Sequence, residues 1–145
     1  MMRRKQAIEL LRKIVYYVYM DQHQHHEDLI FRIAKEYKDI LNGSNQGIYI
    51  YLDDTHKVCN KKFSDLLNYS SPDEWAKITT PFPDTFVKED SQSDLVSAYA
   101  NAMQEEDAST NKITWKTKDG NYIDTEVILV PITFEGHLLA LHFII

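Results

Sequence analysis

The chain has 145 residues, 43% of them apolar and 12% aromatic. That is the size of one domain, with enough core-forming side chains to exclude wholesale disorder. Lys and Arg number 16 against 22 Asp and Glu, a net charge of −6, which argues against a nucleic-acid partner because phosphate contacts need clustered cations. The single cysteine, Cys59, excludes an intramolecular disulfide and a multi-cysteine zinc site. The longest early apolar run, Ile14 to Met20, has seven residues, whereas a membrane span needs about 20. The expectation is a cytoplasmic protein with no membrane partner.

Charge is uneven along the chain. Residues 1–42 carry eight basic and six acidic side chains, a net of +2, and include every Arg; residues 43–145 carry eight and sixteen, a net of −8. The asymmetry predicts an N-terminal helical segment over 1–42 joined to a differently built acidic module over 43–145.

Residues 4–41 contain no Gly or Pro, and apolar residues recur at helical spacing: Ile8, Leu11, Val15 and Val18, then Leu29, Ile30, Ile33, Tyr37, Ile40 and Leu41. The stretch Asp21 to Asp28 is polar all round, so the pattern fits one long helix or two with a joint near 20–25. Asn42-Gly43 offers left-handed residues to end it. From Gly47 the period becomes two. Ile48, Ile50 and Leu52 share one strand face and Tyr49 and Tyr51 the other, with a short return strand over 56–60. Short helices are predicted at about 61–68, at about 72–78 with Ser71 as N-cap and Pro72 at the first position, and around Pro81 and Pro83. A longer helix over 93–106 carries Leu95, Val96, Tyr99 and Met103 on one face. Strands follow over 111–118, 122–134 and 137–145, with turns at Lys118-Asp119-Gly120 and Glu135-Gly136. This order predicts an α+β fold with an antiparallel sheet.

Residues 41–145 resemble a PAS domain, a sensory and interaction module. The resemblance rests on Gly47-Ile48-Tyr49-Ile50-Tyr51-Leu52-Asp53 as the first strand and on Val58-Cys59-Asn60-Lys61-Lys62-Phe63 as the step into the first short helix. It rests further on Leu66-Leu67-Asn68-Tyr69-Ser70, where Asn68 replaces a glycine, on Ser71-Pro72-Asp73-Glu74-Trp75, and on the late hairpin through Lys118-Asp119-Gly120 and Val130-Pro131-Ile132. The family's His-Pro-x-Asp is reduced to Val87-Lys88-Glu89-Asp90, and its Asp-Ile-Thr junction to an output domain does not appear before Ile145. The resemblance implies a PAS-like five-stranded antiparallel sheet with short helices on one face and an N-terminal helix or helix pair.

It also implies a cavity between sheet and helices. Carried over by position, Ile48, Ile50, Leu52, Ile113, Trp115, Thr125, Val127 and Leu129 line it from the sheet, with His142 from the last strand. Phe63, Leu67, Phe86, Tyr99 and Met103 close it from the helices. Tyr49, Tyr51, Ile128, Val130 and Ile132 then form an opposite apolar face that needs a cover. The cover expected is the N-terminal helix or the same face of a second copy; the resemblance implies a helix that pairs two protomers, and Ile8, Leu11, Val15 and Val18 fit that pairing in a homodimer. The flavin-photosensor version of the family needs a cysteine on a mid-domain helix and the haem version an axial His on the long helix; neither is present, so the cofactor stays unassigned. His23, His26 and Glu27 are the most metal-like residues, but nothing in the sequence fixes a second ligand group beside them, and no metal is assigned. No nucleophile elbow or phosphate loop occurs, and no catalytic residues are expected.

The function expected is a signal-transduction sensor. A small ligand or partner protein repacks Ile50, Trp115 and Val127, and the change passes through the N-terminal helix and homodimer to a signalling output protein or domain. The alternative is a ligand-free dimerisation or interaction module of a larger histidine kinase or transcriptional regulator.

Overall fold

A computed structural model describes residues 3–145. A 33-residue helix, α1 (Arg4–Glu36), runs without a break through the polar waist. At about 1.5 Å rise per residue it is about 50 Å long. It bends only at Tyr37 into α2 (Lys38–Gly43), so the joint lies a dozen or so residues later than the polar stretch suggests. The helix leaves through an extended Ser44, with Gly43 still helical, rather than through a left-handed glycine. No helix is long and apolar enough to cross a membrane among the described residues.

The sheet comprises β1 (Gly47–Tyr51), β2 (Lys57–Cys59), β3 (Ser109–Lys116), β4 (Tyr122–Phe134) and β5 (His137–Ile144), all antiparallel in the order β2-β1-β5-β4-β3. Between β2 and β3 the chain forms α3 (Lys61–Leu66), α4 (Pro72–Ala76), α5 (Phe82–Phe86) and α6 (Glu89–Glu105) on one sheet face. Ser71 Oγ accepts the Glu74 N–H and Pro72 opens α4, as the sequence predicts. The two late turns use positive φ at Gly120 and at the Glu135-Gly136 pair, the conformation tight hairpin turns require.

Two apolar layers sandwich the sheet. On the helix side Tyr49, Phe63, Leu67, Trp75, Phe82, Phe86, Ile113, Trp115 and Val127 form one aromatic-rich core. On the other side Leu29 and Ile33 of α1 are fully buried against Ile50 and Leu139, flanked by Leu52, Val58, Ile132 and Leu141. The first half of α1 projects past this contact, leaving Ile8, Leu11, Val15 and Val18 42–67% exposed.

The faces of β1 are the reverse of the sequence expectation. Ile50 and Leu52 pack in the α1-side cluster, and Ile48, paired with Phe143, shares their face; Tyr49 and Tyr51 meet α3, α5 and α6. The physical reason is that β1 is an inner strand buried on both sides. Alternation then separates two faces but does not say which layer each one meets. A helix lying close over the sheet suits aliphatic side chains, and the broad rings fill the deeper layer beneath the short helices.

Candidate functional site

The helix-side layer is mostly solid. Phe63, Leu67, Phe86, Ile113, Trp115, Val127 and Leu129 are 0–1% exposed and pack against one another or α6. The Trp115 indole N–H donates to Thr125 Oγ1 at 2.8 Å, and that hydroxyl donates onward to the Ile113 carbonyl. Half-buried Thr125 thus ties the Trp115 indole to the β3 backbone and does not line the cleft at Tyr49 and His142. Met103 packs beside Tyr99 against Ala98, Ala102, Leu129 and Ala140.

Space remains at one end. A cleft of about 230 Å³ opens between β1, β5, α5 and α6, lined by Tyr49, Tyr51, Phe82, Pro83, Leu95, Val96, Tyr99 and His142. Of the cavity residues expected from sequence, Tyr99 and His142 line it. Tyr49 and Tyr51, expected on the opposite face, form its floor. Phe82, Pro83, Leu95 and Val96 complete the lining beyond the residues that the resemblance implies; the helical spacing of Leu95, Val96 and Tyr99 is the one sequence signal that points to them.

The cleft is mostly apolar, with His142 and the tyrosines as its polar groups. His142 stacks on Tyr49 with ring centroids 3.9 Å apart and planes 11° from parallel. Burial pushes the His142 imidazole down to about 3, against hydrogen bonds to the Ala140 and Tyr49 backbone that raise it, so the ring is neutral near pH 7. Its Nδ1 lies 3.1 Å from the Ala140 carbonyl. The Tyr49 hydroxyl is buried without a hydrogen-bond partner, and burial raises its pKa. An unmatched buried hydroxyl costs about 1–3 kcal/mol. Tyr51 donates to Asp54 Oδ1 at 2.9 Å, and burial together with that bond pushes its phenol up. The lining contains no carboxylate and no ammonium. The buried Lys57 is engaged elsewhere, donating to the carbonyls of Asp54, Ala76 and Ile78, and burial pushes it down to about 8.

A second cluster lies behind the cleft, where the β1–β2 turn meets α1. Asp53 Oδ1 accepts from His56 Nδ1 at 2.7 Å and from the Thr55 and His56 amides; its Oδ2 lies 2.7 Å from His26 Nδ1. Burial raises the Asp53 carboxyl, but hydrogen bonds from His26 and His56 outweigh it and hold the group below its ordinary value. The neighbouring Asp54 carboxylate accepts both the Tyr51 hydroxyl and the Phe82 amide. One turn therefore touches the cleft through Asp54 and α1 through Asp53. Sequence reading named the α1 histidines, but Asp53 and His56 join them only through packing.

The remaining residues expected at an interface are Ile8, Leu11, Val15 and Val18, exposed on the free half of α1, and Ile128 and Val130, half-buried on the α1 side of β4.

No protein-family model and no curated protein matches the chain. Solved structures match its shape. A PAS domain of a protein from Colwellia psychrerythraea aligns with a TM-score of 0.61 at 21% identity, covering 78% of this chain and 95% of that one. The PAS domain of an HTR-like protein from Haloarcula marismortui gives 0.55 at 16% identity, covering 84% and 98%. A sensory box histidine kinase/response regulator from Burkholderia thailandensis gives 0.54 at 14% identity, covering 79% and 82%. The chain has the PAS fold: a five-stranded antiparallel sheet with short helices on one face and a long N-terminal helix.

Proposed function

We propose that this chain, with the fold of PAS domains, is a cytoplasmic signal-transduction sensor module rather than an enzyme. It takes a small aromatic or amphipathic ligand in the Tyr49–His142 cleft and passes the change to α1, which pairs with a second copy and delivers the signal to an output protein or domain. The observation that carries this reading is the Asp53-Asp54 turn. Asp54 grips Tyr51 and Phe82 of the cleft while Asp53 grips His26 of α1. A ligand that displaces Tyr51 or Phe82 biases the turn, and with it the helix, between two arrangements. Aromatic walls with one neutral imidazole suit a flat molecule bearing a single polar group. The lining holds no carboxylate or ammonium, and burial keeps its one imidazole neutral, which suits binding better than proton transfer.

A ligand-free dimerisation module is the second reading, favoured by the solid packing of Phe63, Phe86, Ile113, Trp115 and Val127 away from the cleft. Native mass spectrometry of protein taken directly from expressing cells, with amide NMR titration by indole, separates the two. The sensor reading expects an extra mass lost on denaturation, or indole-induced shifts at Tyr49, Tyr51 and Tyr99. It expects those shifts to continue through residues 53–56 into His23–Glu27. Shifts confined to the cleft would remove the transmission step. No mass and no shift would leave the ligand-free module.

A further inference from the structure

We infer that His23, Glu27 and His56 form a binding site for a single divalent transition-metal ion of the zinc class, clamping α1 to the β1–β2 turn. His23 and Glu27 are four residues apart and so lie on one face of α1. The Glu27 carboxylate is 3.1 Å from His56 Nε2, and the His23 and His56 ring centroids are 4.8 Å apart. Their ligating atoms all lie within 4.8 Å of one another. Tetrahedral coordination at about 2.0–2.2 Å places ligand atoms about 3.4 Å apart, a change within reach of side-chain rotation.

Two features distinguish this from a chance gathering of polar groups. His56 is 4% exposed, and its Nε2 is buried with no properly directed hydrogen bond, despite the nearby Glu27 oxygen. A buried lone pair or N–H left in that state is costly unless something else meets it. The other nitrogen of the same ring, Nδ1, is held by Asp53 at 2.7 Å. A carboxylate on the far nitrogen fixes the tautomer that presents Nε2 as a lone pair and strengthens it as a ligand. His26 braces the second oxygen of that carboxylate.

An alternative set of His26, Asp53 and His56 also clusters. Metal there would have to displace the bonds joining Asp53 to both histidines, whereas the first set uses only the free nitrogen. The donor set of two imidazoles and one carboxylate suits zinc, cobalt or nickel and not calcium or magnesium, which take oxygen ligands. A solvent-open recess of about 320 Å³, with His23, Gln22, Asp54 and Thr55 on its rim, gives entry and room for a water as fourth ligand.

The test titrates the full chain, stripped of metal by a chelator, with zinc chloride by calorimetry and with cobalt chloride by visible absorbance. One ion per chain is expected, with the visible bands of four-coordinate cobalt. His23→Gln and Glu27→Gln, both on the helix surface, should each weaken binding tenfold or more with the far-UV spectrum unchanged. Asp53→Asn should weaken it 10- to 100-fold by freeing the His56 ring. His25→Ala, which breaks the separate His25–His137 contact at 2.9 Å, should leave it unchanged. Absence of binding, or binding untouched by His23→Gln and Glu27→Gln, or binding lost in His25→Ala, overturns the assignment. None of these readouts depends on whether the aromatic cleft holds a ligand.

Discussion

His142 illustrates what one buried side chain does to the whole stability profile. It is 2% exposed, stacked on Tyr49, and pushed by burial from 6.5 down to about 3. Between those values the unfolded chain binds a proton that the folded chain refuses. Stability is therefore full above pH 6.5 and is lost as pH falls toward 3, at up to about 1.4 kcal/mol per pH unit. Asp53 pulls the same way at lower pH, since its depressed carboxyl loses a stabilising charge only on acidification through its folded value. The variant His142→Phe keeps an aromatic ring against Tyr49 and removes this titration while leaving Asp53 in place. Urea unfolding of both proteins between pH 6.5 and about 4.5 should show the wild type falling more steeply. Parallel profiles would mean that the imidazole is not held neutral by the fold.

At the scale of elements, Asn60 ties three pieces together. Its Oδ1 accepts the Phe63 amide as the N-cap of α3 and the Ile48 amide of β1, and its Nδ2 donates to the Gln46 carbonyl. Replacing it with Ala removes a cap worth about 0.5–2 kcal/mol and orphans a buried strand amide at about 1–3 kcal/mol. Asn60→Ala should therefore lose about 2–4 kcal/mol in urea unfolding, and Asn60→Asp, which keeps both acceptor bonds, clearly less. Equal losses in the two variants would remove the acceptor role. The step from β2 into α3 was legible from the chain, as was the order of strands and short helices, because turns and periodicity are local signals; the threefold bonding of Asn60 was not, since Gln46 and Ile48 reach it only through packing. The helix α6 starts at Glu89 rather than 93, since its first turn lacks the apolar residues that periodicity detects. The side of the sheet to which Tyr49 and Tyr51 belong was not legible. In a strand buried on both faces, local pattern carries no sign, and the choice is made by the rings of Phe63, Phe82 and Trp115 that arrive from far along the chain. The Asp53–His56–α1 cluster was hidden for the same reason, since its members come together only when α1 lies down on the sheet.

For the molecule as a whole, α1 divides into an anchored half and a free half. Leu29 and Ile33 are fully buried on the sheet, while Ile8, Leu11, Val15 and Val18 repeat at heptad spacing and stand exposed among the described residues. Beside the anchored half, Ile128, Val130 and Phe143 leave part of the same sheet face only half-covered. A row of exposed aliphatic side chains along one seam is what a parallel helix pair buries, and under the proposed pairing a second copy of this chain would supply the matching seam by symmetry. Sedimentation of the full chain at micromolar concentration should give a dimer. The double variant Leu11→Asp/Val15→Asp places like charges on that seam and should give a folded monomer. Its near-UV spectrum, dominated by Trp75 and Trp115 in the core, should be unchanged, because neither substituted residue touches that core. Ile33→Ala acts on the other half: it should cost about 2–5 kcal/mol in unfolding by hollowing the α1–sheet contact. A monomeric wild type, or a double variant that still sediments as a dimer, would remove helix pairing through the Ile8–Val18 seam of α1.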